Sequence, residues 1–531
     1  MAGRRRSGAA LAALLAASAS ALVMAGCGGS GGSGTATRRA RTVRAPASAT
    51  ALRLGAAGRR IPAGFLGLSM EFQAARAYTG SDPHAVDPVF EALVRGLAPG
   101  QRPVVRIGGD STDASWAPAP GVRPPRFAGY RYPLTPSWFA TTAAFSRAVD
   151  ARLILGLNLA AGDPALDAAE ARADLRAFGR GAIEALEVGN EPNLFATIPE
   201  WTLTDGRHVT ARSRGYGPAQ YRRELAATIA ALPAADPAWS FAGPAFAASQ
   251  DSPPHRLWTG AMAGLLRDVP ALRTLTIHRY PLQNCYAARP SSPQRPTIAH
   301  LLSPYATAGL AAGIRRWVTL ARAVGDRLRV DELNSVACRG KPGVSDTFAS
   351  ALWAPDALFS LAAAGVGGVN IHTLPDAAYA PFSLTRAHGR WTAHVAPEYY
   401  GLRLFAQAAP AGARLVAVHG ATHTRSLSAW ATRAPDGTQR LLLVDKDPGR
   451  AREVRVPVPA GTRGKAATVE RLTAPGVGAT GGVTLGGRTF GARTSTGTLA
   501  APRATPAPRN RAGDLVVRVP GASAALVTFP G

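Results

Sequence analysis

The sequence predicts an α/β chain: a (β/α)8 TIM barrel followed by an antiparallel β-sandwich domain. Between about residues 63 and 395, eight short apolar runs alternate with longer stretches of helical spacing, the pattern of βα units closing a parallel barrel. After about residue 400 the helical period stops. Short alternating runs separated by Gly, Pro and Asp replace it, as in a β-sandwich. The first strand-like run leads into Glu71, Phe72 and Gln73 rather than a Gly-rich phosphate loop, which argues against a doubly wound nucleotide-binding sheet.

In chain order, residues 1–27 read as a lipoprotein-type signal peptide. "MAGRRRSG" is a basic leader, an Ala/Leu-rich run follows, and "VMAGC" ends it at Cys27, the expected lipidation site. The run is too broken by Ala and Ser for a spanning helix. The protein is therefore expected to be exported, either as a lipid-anchored envelope lipoprotein or secreted. Residues 28–48 form a Gly/Ser-rich, then basic, flexible linker. Residues 49–62 hold a strand pattern with no helix after it and are expected to join the sandwich. Barrel strands are expected at 65–72, 103–109, 152–160, 183–190, 239–246, 275–280, 327–333 and 367–374. Several are near-continuously apolar, as befits strands covered on both faces. Helical spacing is clearest at 220–232 and 347–365, and the barrel is assigned to 63–395. The sandwich, 396–531, takes its strands from "ARLVAV", "LSAWATRA", "RLLLVDKD", "REVRVPVP" and "AALVTFP".

The 531 residues carry a formal net charge of +27, yet the only lysines are Lys341, Lys446 and Lys465. An Arg excess in an Ala-, Gly- and Pro-rich chain reflects coding composition more than a designed surface. No dense basic face with interleaved aromatics and no zinc-finger spacing is present, so nucleic acid is not an expected partner. An acidic saccharide is compatible with the charge. Beyond Cys27 the cysteines are Cys285 and Cys338, which in an exported protein are expected to pair as a disulfide.

Catalytic groups of such a barrel project from the C-terminal ends of its strands. Glu191, in "LEVGNEPN", lies at that end of the fourth strand, and Glu332, in "RVDELNS", at that end of the seventh. Two facing carboxyls suit retaining glycosidic cleavage, which needs an acid/base and a nucleophile. Asn190 is placed to hold a sugar hydroxyl and Tyr280 to orient Glu332. His278 is read either as support for the pair or as a satisfied core histidine. No metal constellation stands out, and the chemistry calls for no cofactor.

"VRIGGDSTDASW", "LEVGNEPN", "LTIHRYPLQNC" and "VDELNSVACRG", in this order, resemble glycoside hydrolase family 79, the β-glucuronidase and heparanase-like group. The resemblance implies Glu191 as acid/base, Glu332 as nucleophile, and Asn190 and Tyr280 lining the sugar subsite. It implies recognition of the sugar carboxylate by Tyr379 and by backbone amides of Gly340 and Gly343. Asp110 departs from the family's usual Asn, and an extra anion there is tolerable only if paired with Arg106 or turned away. Arg339 and Lys341 add cations to the glycine-rich loop. The expected function is an exo-acting β-glucuronidase, a monomer acting on a β-glucuronide or uronic-acid glycan. The alternatives are a related clan glycosidase with another sugar or endo specificity, and a non-catalytic glycan-binding lipoprotein.

Overall fold

A computed structural model describes residues 49–124, 132–199, 201–203, 206–235, 237–247, 253–420, 424, 426–459, 462, 465–501 and 504–531. The expected signal peptide, linker and Cys27 lie outside the described residues. No helix among the described residues is long and apolar enough to cross a membrane.

The first strand, β1 (Thr50–Arg60), precedes eight parallel strands that close a barrel among the described residues. These are β2 (Leu66–Glu71), β3 (Val104–Gly108), β4 (Arg152–Leu157), β5 (Ile183–Val188), β6 (Phe241–Ala247), β7 (Leu272–Arg279), β8 (Arg327–Leu333) and β9 (Gly368–Thr373). Each pairs with the next, and β9 returns to β2 in register from Val369↔Leu66 to Thr373↔Met70. The outward residues of these strands meet the helices in one large core. Inside the barrel, Val104, Ile154, Ala185 and Ala242 form a small apolar floor, with a layer of buried charge above it.

The helices begin where the sequence supplies caps. Asp87 caps α2 (Pro88–Leu97), Thr135 caps α3 (Pro136–Val149) and Asp163 caps α4 (Pro164–Phe178), following α1 (Phe72–Thr79). In each capped helix a side-chain oxygen accepts from an otherwise unpaired first-turn N–H, and Pro fills the first helical position. After α5 (Pro218–Ala231), α6 (Pro253–Asp268) and α7 (Arg315–Ala323) comes α8 (Phe348–Ala364), buried along almost its whole length. It is apolar all round because it lies between the barrel and a second sheet.

The barrel runs further than residue 395. Its last helix, α9 (Pro397–Ala408), follows a hairpin of residues 382–395 and packs on α2, with Tyr399 Oη donating to Leu93 O at 2.7 Å. The intervening hairpin hid from the sequence pattern that this helix completes the eighth βα unit.

The C-terminal strands are β10 (Arg414–Gly420), β11 (Leu427–Arg433), β12 (Gln439–Asp445), β13 (Arg452–Val456), β14 (Thr468–Thr473), β15 (Thr484–Leu485), β16 (Thr505–Pro506), β17 (Leu515–Val519) and β18 (Ser523–Phe529). Their order is β15-β14-β18-β12-β11-β10-β1-β13-β17, with β16 beside β14. Pairing is antiparallel except between β1 and β13, which run parallel. Leu515 and Val517 of β17 share a core with Leu441 and Leu443 of β12 and Val527 of β18. Strands far apart in the hydrogen-bond order thus touch, so the sheet folds over on itself. The alternate residues Leu442, Val444 and Leu526 face the barrel helices, the period-two alternation of a strand between two layers. Asp356, midway along α8, ties the layers: it accepts from Ser428 Oγ at 2.9 Å, Trp430 Nε1 at 2.8 Å and Lys446 Nζ at 2.8 Å.

Candidate active site

β5 ends at Val188 in a sharp turn. Gly189 has φ of 84°, and a Cβ there would stand 2.9 Å from Leu159, so the turn needs glycine. Glu191 is itself left-handed, φ 47°, and its N–H donates to Ala245 O on β6 at 3.0 Å. Pro192 follows and opens a short 3-10 turn. A carboxylate in a strained conformation is thus fixed at the barrel mouth by two neighbouring strands.

The other carboxylate arrives by a different route. The pairing of β7 with β8 runs Ile277↔Val330 and then His278↔Glu332, a shift of one residue. Such a bulge re-aims side chains, and here both Asp331 and Glu332 reach the charged layer. A carboxylate oxygen of Glu191, a ring nitrogen of His278 and a carboxylate oxygen of Glu332 all lie within 4.8 Å of one another. The Glu191 side chain is 23% exposed and that of Glu332 11%, so Glu191 is the more open of the two.

Arg106, fully buried on β3, organises the layer. Its Nε donates to Glu187 at 2.6 Å, one Nη to Glu332 at 2.9 Å, and the other to Asn190 Oδ1 at 2.9 Å. Tyr280 Oη donates to the second oxygen of Glu332 at 2.8 Å. His372 places Nδ1 3.6 Å from Glu332 and 3.0 Å from Ser69 Oγ. His278 Nδ1 lies 2.8 Å from Glu191 Oε1.

The electrostatics separate these groups. Burial pushes the Glu332 carboxyl up, but His372 and Arg106, with the Tyr280 hydroxyl, outweigh it and hold Glu332 well below the usual range. Burial opposes the charge of Arg106, yet Glu187, Asp331 and Glu332 hold it well above the usual value. Burial also opposes His372 protonation, and Glu332 and Glu71 overcome it and raise its pKa. Burial and the Glu332 charge drive Tyr280 well up, so its hydroxyl stays a donor.

Asp110 does not pair with Arg106. Asn190 stands between them, accepting from Arg106 and donating to Asp110 Oδ1 at 3.2 Å. Tyr379 is buried with its ring 6.3 Å from that of Tyr280 and 6.0 Å from that of His372. Cys285 and Cys338 are bonded, joining the loop after β7 to the loop after β8. Gly340, φ 79°, packs so closely that a Cβ would stand 2.8 Å from Tyr379 N. Gly343, expected to offer its amide to the sugar carboxylate, instead donates to Asp346 Oδ1 at 2.6 Å within its own exposed turn. Arg339 likewise donates to Pro375 O, at 3.1 Å.

Sequence reasoning missed Glu71, Glu187, Asp331 and His372. Glu71 accepts from the N–H groups of Asp110 at 3.2 Å and Ser111 at 2.8 Å and from Ser111 Oγ, fixing the loop after β3. Glu187 and Asp331 sit within the very strands that deliver Glu191 and Glu332, and a charge inside an apolar strand was their only signal. Two trios, Glu187–His278–Asp331 and Glu191–His278–Glu332, have a spacing that a cation could bridge.

Residues 429–526 match the family model described as the glycosyl hydrolase family 79 C-terminal beta domain. No curated protein matches the chain in sequence. Among solved structures, the chain is similar to a 4-O-alpha-L-rhamnosyl-beta-D-glucuronidase from Fusarium oxysporum in complex with Rha-GlcA, at TM-score 0.68 and 20% identity over 90% of this chain and 100% of that one. It is similar to a family 51 arabinofuranosidase from Xanthomonas axonopodis pv. citri, at TM-score 0.62 and 17% identity over 91% and 100%. It is also similar to the family 44 endoglucanase Cel44A from Clostridium thermocellum, at TM-score 0.57 and 12% identity over 91% and 100%. At these identities the structures establish the fold. The C-terminal match bears out the family 79 resemblance, and together they support a glycoside hydrolase with a carbohydrate substrate.

Proposed function

We propose that this protein is a retaining, exo-acting β-glucuronidase in which Glu332 is the nucleophile and Glu191 the acid/base. The observation that carries this reading is the approach of the two carboxyls within 4.8 Å in unlike surroundings. Retaining enzymes hold their carboxyls roughly 5 Å apart, whereas inverting enzymes leave room for a water. Glu332, kept ionised by His372 and Arg106, attacks the anomeric carbon while Glu191 gives its proton to the departing oxygen. Glu191 then takes a proton from water, and the water oxygen displaces Glu332 from the glycosyl ester with net retention. Asn190 has an N–H beyond the one spent on Asp110, available to the sugar 2-hydroxyl.

The uronate preference rests on the family resemblance, the Fusarium relative's β-glucuronidase activity as named, and Tyr379 beside Tyr280 and His372. In this reading Tyr379 and the Gly340 amide receive the sugar carboxylate. Export as a lipoprotein through Cys27, and a monomeric state, complete the proposal. The test is a panel of aryl β-glucuronide, glucoside, galactoside and xyloside, with a uronate polymer for endo action. Turnover of the glucuronide alone is expected. Glucoside turnover with an untouched glucuronide would overturn the sugar assignment.

A further inference from the structure

Beneath Glu191 lies a chain of groups that the two-carboxylate mechanism leaves unused. His278 Nε2, the nitrogen turned away from Glu191, is buried without a hydrogen-bond partner and lies 3.8 Å from Asp331 Oδ1. Asp331 is fully buried, and neither of its oxygens accepts a hydrogen bond. The charged groups facing it are Glu187, Arg106, Glu332 and His278, with Arg329 at longer range. Arg106 spends its short contacts on Glu187 and Glu332 and comes no nearer to Asp331 than 3.4 Å. Glu187 is already supplied with donors: Arg106 Nε and Thr276 Oγ1 at 2.8 Å. An ionised Asp331 would therefore be a buried anion without a donor, pressed against a second anion. A protonated Asp331 has a destination for its hydrogen, because the Glu187 carboxylate stands beside it, with an oxygen of each within 4.8 Å of the other.

We propose that Asp331 is kept as a neutral carboxylic acid donating to Glu187, and that it acts as a positioning residue that keeps His278 neutral with its hydrogen on Nε2. With that tautomer, the bare Nδ1 accepts the hydrogen bond of protonated Glu191, which enters the first step as an acid. An ionised Asp331 would favour the imidazolium, whose Nδ1–H would hold Glu191 as a carboxylate with nothing to give the leaving group. The proton inventory balances: Glu191 gives one proton to the leaving oxygen and regains one from water, while Asp331 and His278 keep theirs. Burial and the Glu187 charge both push the Asp331 pKa well up, in the sense required.

This inference rests on Glu191 being the acid/base, and two arms of the test separate the two claims. In the first, kcat/KM is followed against pH for aryl β-glucuronides with poor and good leaving groups. Asp331→Ala is expected to lose about tenfold on the poor leaving group and about twofold on a dinitrophenyl glucuronide, which needs little acid help. Asp331→Asn, which keeps a neutral donor to Glu187, is expected to recover most of that loss and the position of the basic limb. Equal damage in both variants, or none in either, would overturn the proposal. The second arm needs no substrate. Nitrogen-15 spectra of histidine-labelled protein, with His278 assigned by a His278→Gln variant, should report a neutral ring protonated on Nε2 near neutral pH. An imidazolium, or a His278 signal moved by added Zn2+, would overturn it even if the enzyme proves to be a glucuronidase. A wild type inert on every glucuronide would defeat the functional reading and leave the spectral result standing.

Discussion

At the barrel mouth Glu187 and Glu332 are buried beside Arg106, whereas on α4 Asp167, Glu170 and Asp174 are buried beside one another. Both groups are buried: Glu187 and Glu332 are 0% and 8% exposed, and the α4 carboxylates 1% each. At the mouth, cations and donors prevail over burial and hold both carboxylates below the usual range. On α4 Thr228 Oγ1 donates to Asp167 Oδ2 at 3.1 Å and the Asn158 amide also favours its charge, but among the described residues no salt bridge reaches the cluster. Burial pushes Asp167 up to about 8, and it drives Glu170 and Asp174 well above their ordinary values. Burial by itself makes a neutral acid. A buried nucleophile requires a guanidinium, an imidazole or a phenol at bonding distance. Asp331 is instructive because it sits in the first region and behaves like the second.

The contrast can be broken from the mouth outwards. Glu332→Ala is expected to lower kcat on an aryl β-glucuronide by ~10,000-fold or more, measured with the fold checked by circular dichroism. Arg106→Ala should lower kcat/KM by about a thousandfold, because Glu332 loses a buried cation, and should cost about 3–5 kcal/mol of stability through the anions left unpaired. Urea unfolding alongside kinetics separates the two effects. Tyr280→Phe removes one donor from ionised Glu332, so the nucleophile's pKa rises and the acid limb of the pH profile moves to higher pH, with about a tenfold loss near neutrality.

The smallest effect lies on α4 and carries the opposite sign. The folded-state pKa of Asp167 is raised, so its contribution to stability is fully present below the unfolded value and is lost as pH rises to about 8. Asp167→Asn should therefore leave the melting temperature near pH 4 almost unchanged and raise it by about 2 °C above pH 8. Calorimetry at both pH values reads this directly, and a variant destabilised equally at both would mean that Asp167 is already ionised.

Glu191 and Glu332 were legible in the sequence because each breaks an apolar run at the end where barrel strands present their chemistry. The eight strands were legible for the same reason, since "RLILGLNLA" or "GGVNIHTL" can hardly be anything but strands covered on both faces. What surrounds the pair was not. The β8 bulge that turns both Asp331 and Glu332 to the site has no local signature, because it arises from pairing with β7. The sequence leaves Asp110 either paired with Arg106 or turned away, and only the spatial insertion of Asn190 shows that Arg106 serves Glu187, Glu332 and Asn190. Gly343 carries the positive φ of an anion-binding loop, but Asp346, three residues on, takes its amide first. Helix α9 lay beyond a hairpin that interrupts the βα rhythm.

The assignment of the two carboxylates is tested most directly by azide rescue. Glu332→Ala, supplied with azide and an activated aryl β-glucuronide, should regain turnover and release the α-glucuronyl azide, because azide enters the space left by the nucleophile. Glu191→Ala under the same conditions should release the β-azide, formed by azide attack on the glycosyl–Glu332 ester. A β-azide from Glu332→Ala, or an α-azide from Glu191→Ala, would reverse the roles and contradict the account.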